Sequence, residues 1–497
     1  MLKSFQHTID EPDIPTAITR TRTLLARADA VWEQAVQTTL QHKITTVNGQ
    51  AVIRPEVISE ARRTEAVNGQ SVQRPIIDLV QQGGGMYGIA LVGYTYIMEK
   101  AGLRFYSLGG TSAGGINAML LATLPNSVYE SESPINAGQT GNKSELLAYI
   151  ISNTNFSKFM DRGGIAGKLQ TALLRNMNSL QLRILGLLFM VGLPIAAYSL
   201  FSFLINDANN IGLAWVRSYD FVLGTLAAAL PFLVAYVLLI RILGKDFGIN
   251  TGAAFYDWMK GILANPHIAT TTTAQLQQRL EGNGFDGKKP DESARLVLIA
   301  SNLTYNRIVK FPKAAPEYWK PADNVNPAAY VRATMSIPFV FSTFIPNIGH
   351  VENNAIAQLA KSRFVDGGML SNFPIREFHN DALARPRFPT FGVLLNESPV
   401  DLDVPPSAKE VRDRFADTTL LGYVTSFLST FRNFYDNDFL SSNKEIRLRV
   451  VAVETKGYNW LDFWMADTAK QELFEKGARA AIRQLEKFDF QDYLNYR

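Results

Sequence analysis

Five residues, Gly110-Thr111-Ser112-Ala113-Gly114, carry the spacing of a nucleophile elbow, G-x-S-x-G. A serine in a tight strand-to-helix turn keeps its Oγ exposed, and small neighbours let the backbone fold back on itself. The positive end of the helix that follows favours negative charge developing at the serine. Ser112 is therefore a candidate nucleophile. Upstream, Gly83-Gly84-Gly85-Met86-Tyr87-Gly88 fits G-x-G-x-x-G at Gly83, Gly85 and Gly88. A dinucleotide-binding turn would want an acidic residue about 20 positions on, at the end of the next strand. That strand ends instead in Leu108-Gly109-Gly110 and runs into the serine turn. Backbone N–H groups of Gly83, Gly84, Gly85 and Gly88, at a helix start beside a nucleophile, make a candidate oxyanion hole. A third element, Asp366-Gly367-Gly368, follows Arg363-Phe364-Val365 at a strand's carboxyl end, where sites gather in α/β sheets. Each piece alone is weak, and an isolated Asp-Gly-Gly is usually just a turn.

The elements around these residues read as α/β. Pro75 to Val80 is a short apolar strand, Tyr87 to Ala101 a helix, Arg104 to Leu108 a strand and Gly115 to Leu124 a helix. Such alternation implies parallel strands with crossover helices. Further strands are expected at Arg295 to Ser301, Arg363 to Val365, Thr390 to Asn396 and Glu445 to Glu454, with a closing helix at Thr468 to Lys487. Residues 1–74 read as an accessory segment, mainly helical, with a helix at Thr16 to Gln41. Two Asn-Gly turns, Asn48-Gly49 and Asn68-Gly69, follow within a short repeat.

The order G-G-G-x-x-G, then G-x-S-x-G one strand later, then a distant D-G-G resembles the patatin-like phospholipase family. Ala333-Thr334-Met335-Ser336-Ile337-Pro338-Phe339 is similar to that family's small-residue segment before the aspartate strand. The resemblance covers roughly Pro75 to Leu124 and Leu296 to Asn396. It implies a three-layer fold with a central, mostly parallel sheet and a Ser112–Asp366 dyad without histidine. Asp366 would take the Ser112 proton as Ser112 attacks an ester carbonyl. Gly84 and Gly85, with Ala113, would hold the oxyanion. The chain's five histidines agree with this. Only His379 follows Asp366, as the chain order of a Ser–acid–His hydrolase would require, and its polar surroundings read as surface.

The totals narrow the class. Charged residues are 19% of the chain, below the soluble average of about 25%. The net charge of +4 comes with no basic stripe, so nucleic acid is not an expected partner. There is no cysteine, which excludes disulfides and thiolate chemistry. No Asp/His/Glu cluster has metal-ligand spacing, and no cofactor is expected. The first residues carry no apolar core of a secretory signal.

Ile184 to Asn206 and Phe221 to Ile240 contain no charged side chain. Each is about 20 residues, the length that crosses a bilayer core of roughly 30 Å, and internal Pro194 and Pro231 are tolerated in membrane helices. Lys168, Arg175 and Arg183 precede the pair and Arg241 and Lys245 follow it, so the outer ends are expected on the cytoplasmic side. The expected organisation is an accessory segment at 1–74, a first catalytic part at 75–180, a transmembrane hairpin at 181–245 and a second catalytic part at 246–497. The expected function is a membrane-bound lipid acyl hydrolase acting on phospholipid or lysophospholipid, with the lipid bilayer and a homo-oligomer or activating partner as associates. A lipase effector released by a signal, or a catalytically silent membrane scaffold, are the other readings.

Overall fold

The computed structural model describes residues 2–496 except 10–12, 68–69, 126–141, 164–166, 169–170, 173–190, 209–219, 244–245, 283, 288–293, 347–358, 360, 380–382, 384, 397–435, 437–438 and 441–445. Twelve strands occur among the described residues: β1 (Ile44–Val47), β2 (Gln50–Ile53), β3 (Arg62–Val67), β4 (Gln70–Gln81), β5 (Arg104–Thr111), β6 (Gly248–Asn250), β7 (Leu296–Asn302), β8 (Arg307–Phe311), β9 (Phe339–Phe341), β10 (Phe364–Asp366), β11 (Thr390–Asn396) and β12 (Val450–Glu454). One mixed sheet joins eight of them. β7, β5, β4, β11 and β12 run parallel in that order, and β3, β8 and β10 add antiparallel.

The central strands are apolar on both faces because both faces are covered, as parallel sheets require. Ile76, Ile77, Leu79 and Val80 of β4 are fully buried, and every residue of β5 is buried. The helices Gly88–Lys100 and Ala113–Thr123 follow β4 and β5 and are buried almost throughout, which explains why each is apolar or small all round rather than striped. The helix Gly88–Lys100 packs on Asp467–Lys487 through glycines on both sides: a Cβ on Gly93 would strike the Phe474 carbonyl, and one on Gly477 the Ala90 carbonyl. The helix Ile14–Gln37 lays Leu24, Leu25, Ala28, Val31 and Ala35 against Asp467–Lys487 and the helix Lys143–Asn153. The Asn48-Gly49 turn closes the β1–β2 hairpin with both residues at positive φ, 51° and 77°, as a type I′ turn demands. Asn68-Gly69 lies outside the described residues, between the paired β3 and β4. The expected strand at Glu445 to Glu454 is shorter: Ile446–Arg449 is helical and β12 begins at Val450, opposite Gly392 of β11.

The chain forms two compact units. One comprises Met1–Phe159, Gly252–Ile337 and Thr343–Arg497, and holds the eight-stranded sheet. The other comprises Met160–Thr251 and Pro338–Ser342. It contains the helices Leu193–Ala208 and Asp220–Leu243, packed on each other, and the parallel pair β6–β9. The expected transmembrane hairpin is not supported here. Residues 184–190 of the first run lie outside the described residues. Among the described residues no helix is long and apolar enough to cross a membrane.

Candidate active site

Strand register brings the three sequence elements together. Thr111, the last residue of β5, pairs with Ile299 of β7, and Asp366, the last residue of β10, pairs with the next residue, Ala300. β8 pairs with Leu298–Asn302 and so overlaps both partners, which puts it on the opposite edge. β5 and β10 therefore meet end to end on one edge of β7, running toward each other. A Cβ built on Gly367 would lie 2.9 Å from Thr111 Cγ2. Ser112, the residue after β5, and Asp366, the last of β10, are 254 positions apart in the chain by their numbers and meet at this junction. Both are nearly buried, at 5% and 6% exposure.

The elbow itself is strained. Ser112 has φ 51° and ψ −120°, a conformation a non-glycine residue holds only where its surroundings enforce it. The enforcement is visible. The helix Ala113–Thr123 doubles back so closely that a Cβ on Gly110 would strike the Gly114 backbone, and one on Gly114 the Gln81 carbonyl. Ser112 N donates to Thr334 Oγ1 at 3.0 Å, while Thr334 Oγ1 donates to the Ile299 carbonyl. Thr111 Oγ1 donates to the Ser371 carbonyl at 3.1 Å. On the other side of the junction, Asp366 N donates to the Ser336 carbonyl at 2.9 Å, and Asp366 Oδ1 accepts from Gly368 N at 2.8 Å. The segment around Ala333-Thr334-Met335-Ser336 thus ties down the serine and the aspartate at once.

The glycine-rich turn lies against the elbow: a Cβ on Gly83 would be 3.2 Å from Ser112 Cβ, and one on Gly88 would be 2.9 Å from Ala113 Cβ. Its N–H groups divide into two sets. Gly83 N donates to the Asn372 carbonyl at 3.0 Å, Gly88 N to the Gly85 carbonyl, and Met86 N to the Trp460 carbonyl at 2.9 Å. Gly84 N and Gly85 N have no acceptor among the described residues. Ala113 N opens a helix and has no intrahelical acceptor either. Gly83 and Gly88 shape the turn, and Gly84 and Gly85 present its open donors. Gly85 sits at φ 53° with the Trp460 backbone directly over it, so glycine is needed there twice over.

Several positioning groups gave no signal in the sequence. Asp436 is buried and takes three hydrogen bonds: Ser371 Oγ at 2.8 Å, Asn372 N at 2.7 Å and Phe373 N at 2.8 Å. Asn372 in turn clasps Gly83 through two bonds, Gly83 N to its carbonyl and its Nδ2 to the Gly83 carbonyl, each 3.0 Å. Its Oδ1 is a buried acceptor without a partner. The only hint was the placement of Ser371-Asn372-Phe373-Pro374 just after Asp-Gly-Gly. His379 is not a surface residue as expected. It is half-buried, its ring packed edge-on to Phe439 at 5.4 Å and its Nδ1 3.5 Å from the Arg449 guanidinium. A small cavity of about 30 Å³ adjoins the turn and the elbow, lined by Met86, Ile89, Ile116, Ile151, Phe156 and Lys470 among others. Among the described residues no three His, Asp or Glu side chains group as metal ligands do.

Residues 79–379, more than half of the chain, match the family model described as patatin-like phospholipase. The chain is 24% identical over 403 residues to an uncharacterised protein, YqhO, of Bacillus subtilis (strain 168), covering 81% of this chain and 96% of that one. The crystal structure of VipD from Legionella pneumophila aligns with a TM-score of 0.32 at 13% identity, over 87% of this chain and 71% of that chain. That likeness is too distant to bear on the role of any residue.

Proposed function

Since the chain belongs to the patatin-like phospholipase family, and so is a lipid ester hydrolase, we propose that it cleaves fatty acyl esters of phospholipid or lysophospholipid through a Ser112–Asp366 dyad. The observation that carries this reading is the end-to-end meeting of β5 and β10 on one edge of β7. Ser112 Oγ attacks the ester carbonyl while the Asp366 carboxylate takes its proton. The oxyanion of the tetrahedral intermediate lies against the open N–H groups of Gly84 and Gly85, with Ala113 N at the helix start. Collapse expels the alcohol, which takes the proton back from Asp366. Asp366 then draws a proton from water, the resulting hydroxide attacks the acyl-enzyme, and Ser112 Oγ leaves the fatty acid by taking that proton back from Asp366.

Membrane association is part of the proposal. In the second unit Ile195, Phe203, Leu226 and Tyr236 are all about 60% exposed or more, on helices that are apolar on every side. Helices of that kind are covered by apolar surroundings, and acyl lipid is the cover that suits a lipid hydrolase. Two experiments test the reading. Lipid mass spectrometry on membranes exposed to the wild type should record free fatty acid and the deacylated lipid, and Ser112→Ala should record neither. Deleting 193–243 should release the chain from vesicles while hydrolysis of a soluble short-chain ester persists. Undiminished lipid release by Ser112→Ala would sink the dyad, and unchanged vesicle binding by the deletion would sink the membrane role.

A further inference from the structure

The amino-terminal ends of β4 and β5 carry a different chemistry. Arg63 and Arg74 are direct cross-strand partners on β3 and β4, and Arg104 opens the neighbouring β5. Three guanidiniums thus crowd one carboxylate, Glu65. Like charges held this way repel unless something answers them. Glu65 accepts from Arg104 Nε with both of its oxygens, at 2.8 and 3.1 Å, and is ion-paired with Arg74 Nε at 3.9 Å. Arg63 Nε is satisfied by the Gly284 carbonyl. Arg74 is left over. It is 5% exposed, its Nε is buried without a hydrogen-bond partner, and its ion-pair partner, Glu65 at 3.9 Å, already holds Arg104. Burial and the nearby Arg104 push its guanidinium down to about 10, against the pull of Glu65.

Arg74 does not face protein alone. It lines a cavity of about 270 Å³ between the N-terminal helix and hairpin and the catalytic fold. Gln50, Gln37 and Asn142 add further donors to the lining, and Lys100 adds a cation whose Nζ is paired with Asp29. Two carboxylates also line it. Glu99 is committed to Ser144 N and Oγ, and Glu33 is exposed. A buried charge normally requires a hydrogen-bonded partner, and a planar fork of donors matches a phosphoryl group in two places at once.

We propose that this cavity is a binding site for a small organic phosphate, held by Arg74 and Lys100, distinct from the catalytic centre. The cavity approaches the roughly 300 Å³ at which small-molecule pockets begin. Arg74 lies seven residues before Gln81 on β4, about 20 Å from the glycine-rich turn at the strand's other end. The ligand therefore touches neither Ser112 nor Asp366. It joins the N-terminal segment to the strands that carry the nucleophile and its oxyanion turn.

The test uses the full chain bearing Ser112→Ala, so that hydrolysis cannot consume a probe. Calorimetric titration with inorganic phosphate and with glycerol 3-phosphate should show saturable binding and a rise in Tm. Arg74→Met should weaken that binding at least tenfold, yet melt no lower than its parent without ligand, because it removes a buried cation whose Nε has no hydrogen-bonded partner. Lys100→Gln should weaken binding less, and serves if Arg74→Met fails to fold. Co-sedimentation with phosphatidylglycerol and phosphatidylcholine vesicles separates the sources. Arg74-dependent binding of vesicles with no response to free phosphates assigns a lipid headgroup, and the reverse assigns a soluble metabolite. Binding that is absent in every arm, or equal in Arg74→Met and its parent, would overturn the proposal.

Discussion

The two ends of β4 and β5 solve opposite problems. At their carboxyl ends the chain works with backbone: glycines at 83, 84, 85, 88, 110 and 114 bring peptide groups close enough to leave two N–H donors open beside Ser112. At their amino ends it works with long side chains, burying Arg74 and Arg104 around Glu65. The first arrangement stores strain at Ser112 and gains open donors. The second concentrates charge and leaves one guanidinium Nε without a hydrogen-bonded partner. Damage at the carboxyl ends should therefore fall on turnover, and loss of the carboxylate that answers the arginines at the amino ends on stability.

The largest effect expected is at the dyad. Ser112→Ala and Asp366→Asn should each lower kcat by about 10⁴ or more, with the double variant scarcely worse, because groups acting as one unit are not additive. Steady-state assays on a short-chain ester check this, and additive losses would split the pair. Gly85→Val comes next. A side chain there meets the Trp460 backbone at a positive φ and displaces the open donors, so kcat should fall about 10²–10³ while KM changes little.

At the other end the balance reverses. Glu65→Gln removes the one carboxylate that answers Arg104 and should cost about 3 kcal/mol of stability in denaturant titrations, with kcat nearly intact. A large kcat loss at full stability would break the distinction between the two ends. The smallest effect belongs to Asp78, within β4. Burial pushes its carboxyl up to about 7 although it accepts Ser107 N at 2.9 Å. The folded state therefore holds that proton more tightly than the unfolded chain, and stability is lost as pH rises from about 4 through 7. Asp78→Asn should raise Tm at pH 8, and the gain should shrink as pH falls below 7 in scanning calorimetry.

The same contrast governs what could be read from the sequence. Ser112, the two glycine turns and Asp366 were legible because tight backbone geometry leaves almost no choice of residue. Thr334, Asn372 and Asp436 were not. They are ordinary polar residues whose value comes from where the fold puts them, 64 positions away in the case of Asp436 and Asn372. Arg74 was equally invisible, since its neighbours are supplied by three strands and a helix. The uncharged runs near 184–240 were over-read. A lack of charge says that a helix wants apolar surroundings, and among the described residues no helix is long and apolar enough to cross a membrane.

The central claim is that Ser112 and Asp366 form one unit without a histidine. Labelling with a fluorophosphonate probe, followed by peptide mass spectrometry, tests it most directly. The account predicts a single adduct on Ser112, formed at least about 100-fold more slowly in Asp366→Asn and at the wild-type rate in His379→Ala. An adduct on another residue, or labelling that survives Asp366→Asn but is lost in His379→Ala, would contradict it.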